Sequence, residues 1–437
     1  FTGLNEKTNY SIKVKVVDTL GRESNVYNLS VTTDAYVLPK VTNVSTSSTE
    51  SSITISVSAS GGTGNVVKYY YSKDNGSNYV ESTSSSYTFS NLTSGATFYV
   101  KVYVKDSNNR ESSVSATSIK TKLPTIKDVC SSGTNLASCI KTFGDKGFSV
   151  SNIYHHDGTL KNGINDNSYR FAGASNIVNN YVCFGTNVTP CPDDNLYRII
   201  GVFGDKVKLI KSDYATSALL GTDGDYYRIY SSGFSNYKGN NSANIATYYW
   251  NKSNQNTWSM SNLNKTNLNK NYITNMGADW ASKIATTTWK VGGNSYTDMT
   301  SKPAKTIYQY EIVSPVTKNT TDNATTYSAK IGLMYASDYM FAVPQDKWTL
   351  IGHKWVYDKT DDYSTATSVN WMYMGLDELT IFRGAHDAYD VFYVGDTGYV
   401  DNCSADRAKA VRPVFYLSSS VPYVSGVGTK TEPICIN

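Results

Sequence analysis

The sequence contains little charge and no long apolar segment. Asp, Glu, Lys and Arg make up only 17% of the 437 residues, and the formal net charge is +4. Lysine and arginine are scattered along the chain, which argues against the basic surface that a nucleic acid requires. No run of about 20 apolar residues is present, so we expect no membrane span. The chain starts at Phe1 inside a strand-like pattern, and we expect it to be a fragment of a longer secreted protein.

Sequence signatures of catalysis are absent as well. GxSxG, HExxH and glycine-rich phosphate-binding loops do not occur, and no CxxC or HxxxH spacing predicts a zinc site. The chain has four histidines, none with sequence neighbours that complete a metal or nucleophile site: His155, His156, His353 and His386. We therefore predict that the protein is not an enzyme and has no cofactor.

Two kinds of carboxylate chemistry stay open at this stage. A glycosidase needs two carboxylates that meet only in space, and the nearest candidates are Asp377–Glu378 and the pair Asp387 and Asp390. Exposed carboxylates are far more common than catalytic ones, so a solvated surface is the favoured interpretation. Calcium at Asp193–Asp194 or at Asp396 is a second alternative, although no EF-hand loop supports it.

Tyrosine, with 36 residues, is the most prominent component of the chain and is accompanied by many Ser, Thr, Asn and Gly residues. This composition is typical of secreted, β-rich proteins. The even number of six cysteines favours an oxidising, extracellular compartment. Two pairs each close a short loop and the third pair is what remains, so the predicted disulfides are Cys130–Cys139, Cys183–Cys191 and Cys403–Cys435.

The N-terminal part of the chain contains an internal repeat. The segment Gly3–Thr33 matches Asn91–Thr121 at a constant offset, which indicates a repeated domain rather than a solenoid unit. In both copies apolar and polar residues alternate, as in the inward-facing row of a strand: Ile12, Val14 and Val16 in the first copy, Val100, Val102 and Val104 in the second. About seven short strands separated by Gly, Asn and Ser turns predict a β-sandwich.

The strand pattern around Phe98 and the turn at Asp106 resemble a fibronectin type III domain. The resemblance covers residues 1–34, the end of one domain, and 40–122, a whole domain. Tyr10 stands where that family keeps a tyrosine whose hydroxyl bonds to the upstream backbone, whereas Phe98 has no hydroxyl for that hydrogen bond. The resemblance implies an all-β spacer or binding module without chemistry of its own.

A proline-containing linker, Lys122–Ile126, precedes a domain of a different kind at residues 128–437. Its local patterns predict a mixed α/β domain, with a short helix near Leu136–Phe143, a hairpin around Gly204–Asp205 and helices between Trp258 and Trp289. Four of its motifs, in this order, resemble a widespread domain of surface and secreted proteins of gut Firmicutes: residues 179–221, WASKIATTTWKVGG at 280–293, IGLMYASDY at 331–339 and VRPVFYL at 411–417.

The last of these motifs, with its strand, glycine-containing turn and VRP, is similar to the C-type-lectin-like fold. That fold occurs in formylglycine-generating enzymes and in receptor proteins that retroelements diversify. The active-site cysteine pattern of formylglycine-generating enzymes is not present here, so the resemblance implies ligand binding rather than catalysis. Every residue at 382–390 can be reached from an asparagine codon by changes at its adenines, which is a hint of such diversification.

The segment Trp371–Leu417 is predicted to carry the function. Its apolar stretches, Val391–Val394 and Val411–Leu417, are expected to be buried strands. The stretches 382–390 and 395–410 mix polar, charged and aromatic residues without a period, which predicts surface loops held between core strands. The alternative is an exposed polar loop without a specific role.

We predict that tyrosines in and near these loops supply contact area, Arg and His donate hydrogen bonds, and Asp accepts them. The predicted ligand-binding residues are Trp371, Phe382, Arg383, His386, Asp387, Tyr389, Asp390, Tyr393, Asp396 and Tyr399. The chain is thus predicted to be a multidomain bacterial surface or secreted protein, with all-β fibronectin-III-like sandwiches and a C-terminal C-type-lectin-like domain. Its partner would be an extracellular protein or glycan on another cell or a phage. A carbohydrate-active enzyme and a structural cap of a surface fibre are the alternatives.

Overall fold

The chain divides into two compact units, Phe1–Pro124 and Thr125–Asn437. The computed structural model describes residues 1–230, 237, 244–294, 302–315, 324–349 and 366–437. His353 lies outside the described residues. Within them, every helix is too short or too polar to cross a bilayer.

The first unit is built entirely of strands. Their bounds are β1 Asn9–Val14, β2 Tyr27–Thr32, β3 Lys40–Ser48, β4 Ile53–Ser60, β5 Val66–Ser72, β6 Val80–Ser82, β7 Ser86–Phe89, β8 Thr97–Asp106 and β9 Ser115–Lys120. Strands β3, β4 and β7 form one antiparallel sheet, and β6, β5, β8 and β9 form the other, in those orders. The two sheets enclose a core in which Ile53, Ile55 and Val104 are fully buried. This arrangement confirms the predicted fibronectin-III-like sandwich.

The repeat predicted from the sequence extends to individual hydrogen bonds. The Nε of Arg22 donates to Asp18 Oδ2 at 2.8 Å, and in the second copy the Nε of Arg110 donates to Asp106 Oδ2 at 2.9 Å. In each turn the aspartate also accepts backbone N–H groups, so the side chain fixes the turn. The Tyr10 hydroxyl accepts from the backbone N–H of the residue five positions upstream at 2.8 Å, which is the hydrogen bond that Phe98 cannot make.

The two copies differ in what covers their apolar row. In the second copy, Val102 and Val104 are at most 1% exposed because the β3–β4–β7 sheet packs over them. In the first copy, β1 and β2 form a two-stranded sheet, and Val14 and Val16 are 48% and 67% exposed. The alternating pattern is therefore the same in both copies, and in the second copy it builds the core of the sandwich.

The second unit is mixed α/β, as predicted. Its strands are β10 Ile153–His155, β11 Tyr169–Phe171, β12 Tyr181–Cys183, β13 Leu196–Phe203, β14 Lys206–Lys211, β15 Tyr226–Tyr230, β16 Ile245–Tyr248, β17 Thr287–Lys290, β18 Gly293–Asn294, β19 Thr326–Ala329, β20 Ile331–Gly332, β21 Glu378–Gly384, β22 Asp390–Val394, β23 Val400–Ser404 and β24 Val414–Tyr416. Its α-helices are Leu136–Gly144, Phe148–Ser151, Ser217–Leu220, Ile273–Met276, Ala278–Ser282, Ala304–Tyr308 and Ala336–Met340. Short 3₁₀ turns are at Ile126–Asp128, Asp193–Asn195, Trp258–Met260 and Gln345–Lys347, and π-helical turns are at Leu263–Tyr272 and Gln309–Val313.

A large sheet forms the centre of this unit. Among the described residues its strand order is β10-β11-β13-β14-β24-β20, with β12 also paired to β13. The hairpin β13–β14 confirms the one predicted around Gly204–Asp205, and β24 brings the VRPVFYL motif into the middle of the sheet beside β14. The predicted helical region between Trp258 and Trp289 contains the π-helical turn Leu263–Tyr272, and just before it Ser261 Oγ accepts the N–H of Asn264.

Buried charged groups crosslink the elements around this sheet. Lys208 on β14 and Arg170 on β11 both contact the carboxylate of Asp338, and all three are at most 3% exposed. Nearby, the two oxygens of Glu311 accept the N–H groups of Ala336 and Ser337 at 2.7 and 2.8 Å. Burial raises the pKa of Glu311 to about 7, although these hydrogen bonds act in the opposite direction.

Two of the three predicted disulfides are formed and the third is wrong. Cys130–Cys139 and Cys183–Cys191 are bonded, whereas Cys403 and Cys435 are free thiols. Cys403 lies on β23, within a separate four-stranded sheet. Cys435 is held near β12, because its neighbour Ile434 pairs with Val182. Pairing by exclusion failed because the C-terminal segment lies beside the large sheet, away from the sheet that contains Cys403.

Candidate functional site

The predicted loop region is more regular than its sequence indicates. Strands β18, β21, β22 and β23 form a sheet in that order, with β21 parallel to β18 and antiparallel to β22. Phe382 and Arg383, which we predicted to lie in a loop, belong to β21, and part of the predicted loop 395–410 is strand β23. The true connections are residues 385–389, which we call the tip loop, and residues 395–399, which we call the second loop.

The absence of a period in β21 has a physical cause. All of its residues are buried, including Glu378, Thr380 and Arg383, because both faces of the strand are covered. A strand buried on both faces shows no alternation of polar and apolar residues. Its polar side chains make their hydrogen bonds inside the protein. In the sequence alone, these polar residues look like those of a surface loop.

Asn256 fixes the tip loop from behind. This residue is fully buried, and its Nδ2 donates to the carbonyl oxygens of Gly384, Asp387 and Asp390 at 3.0, 3.3 and 3.0 Å. Its backbone N–H donates to Ala388 O at 2.9 Å. One side chain from a distant part of the chain thus holds the backbone of the whole connection.

Three side chains of the tip loop meet at one point, and we call them the His–Asp–Asp cluster: His386, Asp387 and Asp390. The His386 Nε2 lies 3.0 Å from Asp387 Oδ2 and 3.0 Å from Asp390 Oδ2. Asn402 on β23 donates from its Nδ2 to Asp390 Oδ2 at 2.7 Å. All members of the cluster are half-buried, so water and ions can still reach them.

The cluster crowds negative charge into a partly desolvated place. Burial raises the pKa of Asp390, the hydrogen bond from His386 lowers it, and the adjacent Asp387 carboxylate raises it again. Gly384 packs directly under the imidazole: a Cβ there would lie 2.9 Å from His386 Cε1 and 3.2 Å from Asp390 Cβ. The glycine is therefore needed for the close approach of the ring.

The second loop is held by tyrosines of the surrounding core. The Tyr339 hydroxyl donates to Gly398 O at 3.0 Å, and the Tyr373 hydroxyl donates to Asp396 O. The Asp396 N–H donates to Asp377 Oδ1 at 3.0 Å. Both connections at this sheet are thus attached to the body of the unit through their backbones.

The predicted ligand-binding residues separate into two groups. Tyr389 is 46% exposed and Asp396 is exposed, and the half-buried members are His386, Asp387, Asp390 and Tyr399. Trp371, Phe382, Arg383 and Tyr393 are at most 8% exposed, so these four side chains are buried in this structure and do not form its surface.

The buried residues of this set have structural partners. The Trp371 indole donates to Phe171 O at 2.9 Å. Arg383 donates from Nη1 to Asn256 O at 3.1 Å, and Phe382 stacks on Phe392 at 4.8 Å between ring centroids. Phe382 and Arg383 are thus fixed within the sheet that carries the two loops, and Trp371 is fixed to strand β11 of the large sheet.

Of the two carboxylate pairs considered for glycoside hydrolysis, Asp387 and Asp390 belong to the His–Asp–Asp cluster, and Asp377 and Glu378 each lie beside a basic side chain. Glu378 is 2% exposed and accepts from Arg412 Nε at 2.8 Å. Asp377 Oδ2 lies 2.7 Å from Lys409 Nζ. A general acid or nucleophile has to reach a substrate, and Glu378 is too deeply buried to do so, whereas Asp377 is 40% exposed. Asp193, considered for calcium, is paired with Lys430.

Asn256 and Asn402 are the functional neighbours that the sequence did not reveal. Both lie outside the tip loop in sequence, and an asparagine without a motif carries no signal of its role. The proximity of His386 and Asp390, four residues apart across the start of β22, was visible in the sequence. This spacing alone does not predict a cluster, because a loop fixes no distance between its side chains.

Comparisons with known proteins place limits on the assignment. No family model matches the chain, and no curated protein matches it. Solved structures give partial matches only. The PKD1 domain of Vibrio anguillarum Epp is 17% identical, with 21% of this chain and 100% of that chain covered and a TM-score of 0.18. Domains d3–d4 of the rat CD45 extracellular region are 16% identical over 28% and 67% of the two chains, with a TM-score of 0.20.

The fn3 domain of the human collagen alpha-1(XX) chain is also similar, with 19% identity, 21% and 90% coverage and a TM-score of 0.18. Each of these matches covers a share of the chain about as long as one or two small domains. With scores this low, the assignment of the sandwich rests on its own strand pairing.

Proposed function

We propose that the chain belongs to a bacterial surface or secreted protein of the adhesin or receptor type. Its second unit would bind an extracellular protein or glycan through the tip loop and the second loop, without catalysing a reaction. The observation that carries this proposal is the exposed Tyr389 beside the His–Asp–Asp cluster, on a connection whose backbone is fixed by Asn256.

Rigid presentation of these groups favours binding. A loop that is already ordered loses little conformational entropy when a ligand binds to it. Tyr389 offers an amphipathic ring, and the adjacent imidazole and carboxylates offer donors and acceptors for hydroxyl or amide groups. Two disulfides and a sandwich unit are both consistent with an extracellular location.

The C-type-lectin-like fold and the diversification by a retroelement are parts of the same proposal. The buried strands β21 and β22 beside short, partly exposed connections support it, because variation at exposed positions of such connections leaves a core intact. If diversification occurs, substitutions in natural populations should concentrate at adenine-derived bases of codons for the tip loop and the second loop. The buried Phe382 and Arg383 should stay fixed.

The binding test compares two exposed tyrosines of the same unit in the full chain. Tyr389→Ala removes the ring at the tip loop, and Tyr227→Ala removes a ring with 43% exposure on β15. Binding to a glycan array and to whole cells or phage of the source community would be measured. We expect Tyr389→Ala to weaken binding about tenfold or more, and Tyr227→Ala to leave it within about twofold.

Equal effects of the two substitutions would refute the assignment of the tip loop. Concentration-dependent self-association that ignores both substitutions would instead favour a structural role in a surface fibre. Full binding by a Tyr389→Phe variant would show that the ring, and not the hydroxyl, makes the contact.

A further inference from the structure

The His–Asp–Asp cluster has the composition of a metal site as well as of an ion pair. One imidazole nitrogen and two carboxylate oxygens lie within 4.8 Å of one another. Among the described residues, this is the one group of three potential metal ligands. Two ligands held about 2.1 Å from one ion lie roughly 3.0 to 3.4 Å apart, depending on the angle between them. The separations of 3.0 Å from His386 Nε2 to both carboxylates agree with this spacing.

We propose that His386, Asp387 and Asp390 bind a divalent first-row transition-metal ion, of which Zn²⁺ fits the ligands best. A neutral imidazole with two carboxylates is a mixed nitrogen and oxygen set, which suits Zn²⁺, Mn²⁺ or Co²⁺. Ca²⁺ and Mg²⁺ prefer sites made of oxygen ligands alone. The two negative charges of the carboxylates match the two positive charges of the ion.

The surrounding hydrogen bonds orient each ligand atom. Asp387 Oδ1 accepts the N–H groups of Tyr389 and Asp390 at 2.9 and 2.7 Å, which directs Oδ2 to the imidazole. Asn402 holds Asp390 Oδ2 from the neighbouring strand. Metal ligands are commonly held by such outer partners, which reduce the reorganisation needed on binding.

The backbone under the site is equally fixed. Asn256 binds the carbonyl groups of two of the three ligand residues, and Gly384 leaves the space that the imidazole occupies. A site with three protein ligands keeps further coordination positions for water or for an oxygen atom of a ligand. The metal site stands on this geometry alone and does not depend on the proposed binding of a protein or glycan.

The experiment uses the full chain without a histidine tag, after treatment with a chelator. Isothermal titration with Zn²⁺, Mn²⁺, Ca²⁺ and Mg²⁺ would be performed on the wild type, His386→Ala and Asp390→Asn. We expect one Zn²⁺ per chain, at least about tenfold weaker binding in both variants, and weaker or absent binding of Ca²⁺ and Mg²⁺. Thermal unfolding monitored alongside would show that the variants are folded.

The matched control is His155→Ala. His155 also lies beside an aspartate, with 3.6 Å between its Nδ1 and Asp157 Oδ2, but the described residues place no second carboxylate with this pair. We expect this variant to bind Zn²⁺ like the wild type. A Co²⁺-loaded sample should show visible absorption bands that disappear in Asp390→Asn and remain in His155→Ala.

Three results would overturn the metal site. Absence of Zn²⁺ binding by the folded wild type would mean that the cluster is an ion pair only. Unchanged binding in both folded cluster variants would place the ion elsewhere in the chain. Equal binding of Ca²⁺ and Zn²⁺ would contradict the role of the imidazole.

Discussion

Replacement of Asn256 by alanine should loosen the tip loop and destabilise the second unit. The side chain donates to three carbonyl groups with two hydrogens, so about two hydrogen bonds are lost. The carbonyl oxygen of Gly384 is buried, so water could not replace the lost hydrogen bond. Leaving this acceptor without a partner costs about 1–3 kcal/mol of folding stability. The carbonyl groups of Asp387 and Asp390 lie closer to solvent and add about 1 kcal/mol. We expect a total loss of about 2–4 kcal/mol.

Urea unfolding followed by tryptophan fluorescence measures this loss. All seven tryptophans lie in the second unit, so their signal is not affected by unfolding of the sandwich. The matched control is Asn275→Ala, because the exposed Asn275 side chain also donates to two carbonyl groups, those of Ala218 and Leu219. Water can replace those bonds, and a cost below about 1 kcal/mol is expected.

The reasoning would be refuted by an Asn256→Ala protein that unfolds within about 0.5 kcal/mol of the wild type. It would also be refuted if Asn275→Ala cost as much as Asn256→Ala, because burial would then not determine the effect. A destabilised Asn256→Ala protein that keeps full affinity for Zn²⁺ would show that the anchor stabilises the fold without orienting the cluster.

Three further predictions concern buried titratable groups. The pKa of Glu311 is about 7 in the folded protein against 4.5 for the free side chain, so the folded state holds an extra proton between these values. The free energy of unfolding should therefore fall by about 3 kcal/mol as pH rises from 4.5 through 7, and Glu311→Gln should remove most of this slope in pH-dependent urea unfolding. Non-reducing peptide mapping should find two disulfides and two thiols. Burial raises the pKa of the Cys403 thiol to about 12, so Cys435 should be alkylated well before Cys403. Glu378→Gln leaves its buried arginine partner with uncompensated charge and should lower the free energy of unfolding in urea by about 3–5 kcal/mol. Asp377→Asn removes an ion pair whose carboxylate is 40% exposed and should cost less than about 1 kcal/mol. Equal costs would contradict the role of burial.

Features that depend on local sequence could be predicted well. The repeated turn at Asp106 uses a side chain that bonds to its own backbone within four residues, and the sandwich follows from alternating rows such as Val100–Val104. The disulfides Cys130–Cys139 and Cys183–Cys191 close short loops that few other pairings could satisfy. The hairpin around Gly204–Asp205 likewise needs no distant partner.

Features that depend on distant partners could not be predicted. Arg383 appears as a surface residue in the sequence. In the fold its buried guanidinium donates hydrogen bonds to the carbonyl oxygens of Asn256 and Ala324. The thiols of Cys403 and Cys435 were paired by exclusion, but Cys403 lies on β23, whereas Cys435 is held by isolated bridges beside β12 of the large sheet. The proposed site therefore stays a prediction at the level of the segment, while the division between buried and exposed residues within it required the fold.

The way in which Asn256 holds the tip loop determines how freely that loop can evolve. Its amide binds the carbonyl oxygens of Gly384, Asp387 and Asp390, and its N–H binds Ala388 O. Every amino acid supplies a carbonyl oxygen, so this anchorage is indifferent to the side chains that the loop carries. A substitution at the exposed Tyr389 therefore leaves these four hydrogen bonds in place, and the path of the backbone does not depend on the side chain at that position.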